Sequence, residues 1–171
     1  MDPRNLLSEK RPAILNRWFN AVLDTYPADT SAFLKKQKNQ FANPVGHTIH
    51  QGMEHILEAL LQGTDLDRIA PSLDNIIRIR AVQDLTPSQA VGFILSLKKI
   101  IREELGSNTR EHSASGELPG LEERIDALAL MSFDIYIQCR EKIYELRANE
   151  TKRLTYRLLQ RANLVCELPD Q

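Results

Sequence analysis

Three imidazoles crowd one short stretch, "HTIHQGMEH", which holds His47, His50 and His55. A metal or haem site would draw on such groups, with His112 as the remaining histidine. The spacing argues against one. There is no HExxH pattern and no carboxylate-rich loop. On a helix turning ~100° per residue, Val45, Ile49, Met53, Ile56 and Leu60 form the apolar side. His47 falls opposite that side, and His50 and His55 fall at its margins. All three read as surface or boundary residues. His50 and Met53 are the pair placed to see a pocket, and no metal or cofactor is expected.

Nucleophilic chemistry has even less support. No GxSxG motif occurs, and Cys139 and Cys166 have neither CxxC nor metal-ligand spacing. Cys139 sits in an apolar stripe, where a thiol behaves as a small hydrophobe. Only seven glycines are present, and none form a phosphate-cradling loop. No pair of carboxylates is set against a cleft. No catalytic residue is expected, and the chain does not read as an enzyme.

The segment "LDNIIRIRAVQDLTPSQAVGF", Leu73 to Phe93, raises a different question. Leu73, Ile76 and Ile77 define the apolar side of a helix there. Arg78 falls opposite it, four residues after Asp74, as a surface pair of little energetic weight. Arg80 falls in the middle of the apolar side. A buried guanidinium without partners is very costly. It must reach water, pair with Asp84, bond carbonyls at a helix end, or bind an anion. A structural joint between two helices is the favoured reading, with an anion site as the alternative.

These residues need elements to hold them, and the pattern is helical nearly throughout. A first helix is expected over about Asn5–Tyr26, with a break near Pro12. A second passes through "SAFLKKQKNQF", capped by Asp29 or Thr30. Asn43 and Pro44 open a third, which runs to Gln62 and stops at Gly63. A fourth begins at Pro71 or Ser72 and ends near Gln83. Thr86-Pro87-Ser88-Gln89 is a capping box that opens a fifth, ending near Leu105. After the polar stretch "SNTREHSASGE", nothing breaks a helix from Pro119 to about Val165. About 45 helical residues span ~68 Å, more than the diameter of a small domain. The expectation is an all-α, globin-like bundle of about six helices with a long C-terminal helix. Residues 1–146 would form the domain, and 147–171 would extend the last helix into a short tail.

That last helix carries two apolar stripes. One is Leu121, Ile125, Leu128, Ser132, Ile135, Cys139, Ile143 and Leu146. The other is Leu130, Phe133, Ile137 and Tyr144. One face can close a core while the other pairs with a second chain, so a homodimer is expected; two-sided burial within one chain is the alternative. Arg147, Lys152, Arg153, Arg157 and Arg161 make the far end basic, as a solvated face or a dock for an acidic partner.

Bulk properties narrow the classes. The net charge is -1, which disfavours a nucleic-acid partner. No apolar run approaches the ~18 residues of a membrane helix, and the N-terminus lacks the apolar core of a secretory signal. A cytoplasmic protein is expected.

The stretches "YPADTSAFLKKQKNQFANPVGHTI" and "LDNIIRIRAVQDLTPSQAVGF" resemble the N-terminal domain of RsbT co-antagonist (RsbR/RsbRD-type) proteins of bacterial stress signalling. The likeness spans roughly Leu6 to Leu146. Phe41, Asn43, Pro44 and Gly46 carry it in one motif; Arg78, Gln83, Pro87 and Gln89 carry it in the other. It implies a haem-free, globin-like helical domain that dimerises through its helices and acts in sensing or interaction. Family members usually continue through a linker helix into a STAS domain, so this sequence reads as a stand-alone copy. The expected function is a regulatory domain acting through dimerisation and an unidentified protein partner, with room for a small ligand. The alternative is a globin-like sensor of a small ligand or haem-type cofactor.

Overall fold

The structure is a computed structural model that describes residues 3–36, 41–83, 85–106, 116–162 and 164. Asp84, His112 and Cys166 lie outside them. Seven helices and no strand occur among the described residues, so the chain is all-α. They are α1 (Pro3–Leu23), α2 (Ala28–Lys36), α3 (Pro44–Gln62), α4 (Leu66–Ala81), α5 (Pro87–Val91), α6 (Phe93–Leu105) and α7 (Glu117–Arg161).

Local sequence explains most boundaries. The Asn43 side chain accepts from the Gly46 amide at 2.8 Å, and Pro44 takes the first helical position of α3. Gly63 closes α3 in the left-handed conformation. Thr86 and Gln89 form the reciprocal capping box of α5. Two prolines behave otherwise than expected. α1 runs unbroken through Pro12, and α4 starts at Leu66, five residues before Pro71, with Asp65 as its cap. In both cases the ring faces solvent, as does the residue four positions earlier (Ser8 and Asp67). The carbonyl that loses its amide partner is then open to water, which lowers the cost of an internal proline.

The expected fifth helix is divided at Gly92, so about six expected helices become seven among the described residues. A Cβ at this position would lie 2.4 Å from the Ser88 carbonyl oxygen. Only glycine fits the turn that redirects α5 into α6.

α3 packs on α4 and α1 packs on α6, while the first half of α7 crosses α4, α5 and α6. Trp18, Met53, Ile76, Leu97 and Leu128 meet in the core with no exposed surface. Each such side chain contributes ~1.5–3 kcal/mol relative to exposure. Along α7, Leu118, Ile125, Leu128, Ser132 and Tyr136 are buried. From Tyr144 to Ala162 every residue is exposed. The helix is 45 residues long, about 67 Å at the usual rise per residue, and its second half projects from the bundle. No described helix is long and apolar enough to cross a membrane.

Candidate functional site

Arg80 arrives at the centre of the joint between α1, α4 and α5 because it continues the apolar side of α4. It is fully buried. Its Nε donates to the Ala90 carbonyl at 3.0 Å, and Nη2 donates to the Gln89 carbonyl at 2.7 Å. Both carbonyls belong to the last turn of the five-residue α5, where a helix end leaves acceptors open. Nη2 also donates to Thr25 Oγ1 at 2.9 Å, and Nη1 to the Tyr26 hydroxyl at 3.2 Å. The guanidinium lies 5.4 Å from the Tyr26 ring centre and 5.2 Å from that of Phe93. Burial pushes its pKa down from the ordinary arginine value, and Tyr26 opposes that shift. Asp84, the carboxylate expected as a partner, falls outside the described residues. Among those described, the hydrogen-bond acceptors are carbonyls and hydroxyls.

The second motif is built around this arginine. The Tyr26 hydroxyl donates to Gln83 Oε1 at 2.7 Å, which holds it in place to accept from Arg80. Pro87 occupies the first position of α5. Gln89 serves twice, in the capping box through its side chain and toward Arg80 through its carbonyl. Arg78 is exposed and pairs with Asp74, whose hydrogen bond raises its pKa. Trp18 completes the joint: its Nε1 donates to the Phe93 carbonyl at 2.7 Å. The first motif is a helix start. The Asn43 side chain lies over Gly46, where a Cβ would approach Asn43 Nδ2 to 2.3 Å, and Asn43 also donates to the Leu34 carbonyl. Phe41 is 93% exposed, so the motif's aromatic residue is no core anchor.

α7 is fastened to the same joint. The Tyr136 hydroxyl donates to the Leu85 carbonyl at 3.3 Å, and Arg140 Nη1 to the Ala81 carbonyl at 3.2 Å. Arg140 also lies over the Tyr144 ring and donates to its hydroxyl at 2.9 Å. Nearer its start, Arg124 donates to the Leu60 and Thr64 carbonyls at the end of α3. The second stripe of α7 faces outward: Leu130 is 70%, Phe133 48% and Tyr144 55% exposed, while Ile137 is half-buried against the core.

A cavity of about 550 Å³ lies between α1, α2 and α3. His50 lines it, with its ring edge-on to Phe19 at 5.0 Å. Met53 does not; it is fully buried in the core. His47 lines the cavity too, although the helical pattern of α3 alone puts it on the solvent side. The reason is tertiary: α2 comes over the first turn of α3 and supplies a second wall. His55 instead meets Ser72 across α3 and α4, at 2.7 Å. No group of three or more His, Cys, Asp or Glu among the described residues could hold a metal ion.

Residues 12–151 match the family described as the RsbT co-antagonist protein RsbRD N-terminal domain. The chain belongs to that family. The RsbRD N-terminal family is one of regulatory stress-signalling domains. A protein of Archaeoglobus fulgidus, described as uncharacterized, is 24% identical to this RsbRD N-terminal domain over 144 residues. The alignment covers 82% of this chain and 83% of that relative. No solved structure matches significantly.

Sequence reasoning placed Arg80 at a joint but did not supply Thr25, Tyr26, Trp18, Tyr136 or Arg140 as its company. The YPAD turn after α1 gave no sign that its tyrosine would fold back onto α4. Tyr136 fits the first stripe by spacing, four residues after Ser132 and three before Cys139, but spacing does not say which carbonyl its hydroxyl meets.

Proposed function

We propose that the protein is a non-enzymatic regulatory domain that works as a homodimer through α7 and transmits its state to a protein partner. The observation that carries this reading is the two-sided character of α7. One side closes the core, and the other leaves Leu130, Phe133, Tyr144, Leu154 and Leu158 exposed. Read at alternating three- and four-residue steps from Leu130, these positions fall on one seam of the kind that paired helices bury.

The lever argument follows from the joint. Tyr136 and Arg140 bond backbone carbonyls on either side of the α4–α5 turn that Arg80 fixes. A shift of that turn moves the seat of α7, and with it the seam and the exposed half beyond Tyr144. An input acts only if it binds one arrangement better than another. The basic residues of the far end, Arg147 to Arg161, would then meet an acidic partner.

The test is light scattering at micromolar concentration on the whole chain and on the double variant Leu130→Glu/Phe133→Glu. A dimer that becomes a folded monomer on substitution is expected. A wild-type monomer, or a double variant that stays dimeric, refutes the seam.

A further inference from the structure

We infer that the cavity between α1, α2 and α3 binds a small organic anion with an apolar body, an aryl or acyl carboxylate. The volume of about 550 Å³ is in the range of small-molecule sites, which pair apolar walls with a few polar groups that fix orientation. Phe19 and Leu34 supply the apolar wall. The polar groups can all donate. His47 and His50 lie one turn apart on α3 and line the cavity, and their imidazole rings make no hydrogen bond to a described residue. His55, on the same helix, is engaged with Ser72. Two half-buried imidazoles with hydrogen-bonding capacity in reserve are directed at one space.

The charge balance sets the sign of the ligand. Lys35 is the formally charged group among the described lining residues, and none of them is a carboxylate. Its ammonium reaches the carboxylate of Asp24 at 3.2 Å, in a pair with Asp24 70% exposed. Such a pair is weak enough to be shared with a ligand. Asn16 and Asn20 line the α1 side and contact each other at only 3.5 Å, so their amides remain adaptable. An imidazole N–H, an ammonium and an amide suit a carboxylate head group, and the Phe19 ring suits an aryl or acyl body.

This inference adds an effector class to the regulatory reading and does not require the dimer. Titration of the whole, isotope-labelled chain with 2-naphthoate tests it, with 2-naphthamide as the neutral match and backbone amide NMR shifts as readout. Naphthoate should perturb amides around Phe19, Lys35 and His50, and bind at least tenfold tighter than the amide. His47→Ala/His50→Ala should weaken it about tenfold, as loss of hydrogen bonds to a charged group does. Lys35→Met, on an exposed position of α2, is the second variant should the first lose its fold, and should weaken binding likewise. Equal binding of naphthamide, unaltered affinity in the variants, shifts confined to the α7 seam, or no saturation at millimolar naphthoate would each overturn it. Light scattering on the same samples reports the dimer separately, so one reading can fail without the other.

Discussion

Arg80→Met is the most informative single substitution in this fold. Methionine keeps much of the side chain's apolar length and removes four hydrogen bonds. The two hydroxyls lose little, because Tyr26 still donates to Gln83 and Thr25 still donates to the Val22 carbonyl. The carbonyls of Gln89 and Ala90 fare worse, since no side-chain change can remove them. Each acceptor left without a donor in a buried site costs ~1–3 kcal/mol. Against this, the variant no longer has to desolvate a guanidinium, a penalty of several kcal/mol that its hydrogen bonds must already offset in the wild type. With the hydroxyls neutral and the two carbonyls orphaned at ~1–3 kcal/mol each, and with the guanidinium's desolvation relieved, the expected net loss is about 3 kcal/mol. For a chain of this size that lowers the melting temperature by ~6–12 °C. Thermal and urea unfolding, followed by circular dichroism at one fixed protein concentration, measures it. Arg80→Lys should fall between the two, because an ammonium keeps the charge but lacks the planar fork. An Arg80→Met protein as stable as wild type, or more so, would show that the joint does not depend on this fork.

Two further substitutions probe the same region. Gly92→Ala forces a methyl group to within 2.4 Å of the Ser88 carbonyl oxygen, and the backbone shift that follows should cost ~1–3 kcal/mol in thermal unfolding. Trp18→Phe should cost ~2–4 kcal/mol through the space it leaves in the core; the Phe93 carbonyl keeps the Ser96 hydroxyl at 2.6 Å as a donor. Trp18 is the sole tryptophan, so its emission, blue-shifted in the wild type by full burial, should shift red only when the joint opens.

The sequence was legible where backbone chemistry is written in consecutive residues. Asn43-Pro44 and Gly63 bracket α3 at the observed bounds, and Thr86 to Gln89 open α5 as their spacing indicates. It was misleading where the outcome depends on which way a side chain faces. Pro12 and Pro71 look like helix boundaries until the bundle turns them toward solvent, where the freed carbonyls are open to water. His47 looks solvated until α2 covers its side of the helix. Gly92 looks like a tolerated helix glycine until the turn's geometry puts the Ser88 oxygen where a side chain would start. Each of these is a tertiary fact with no local signature.

The joint also explains why a charge, rather than another isoleucine, occupies the apolar side of α4. A helix of five residues cannot satisfy its own terminal carbonyls, and at this joint the Ala90 carbonyl meets Arg80 in a buried contact and the Gln89 carbonyl meets it in a partly buried one. Water would need space that a close-packed core does not provide. A lysine presents one compact donor group, whereas arginine spans both carbonyls and the two hydroxyls of the turn after α1 in one plane. Arg80 therefore ties three segments together: the neighbouring ends of α4 and α5, and Thr25–Tyr26, which is distant in sequence. The Ala81 and Leu85 carbonyls, which flank that tie, are the ones α7 holds through Arg140 and Tyr136. A regulatory change that reaches the projecting helix has a physical route through this turn, because the turn cannot move without breaking bonds to Arg80 and displacing the seat of α7 together.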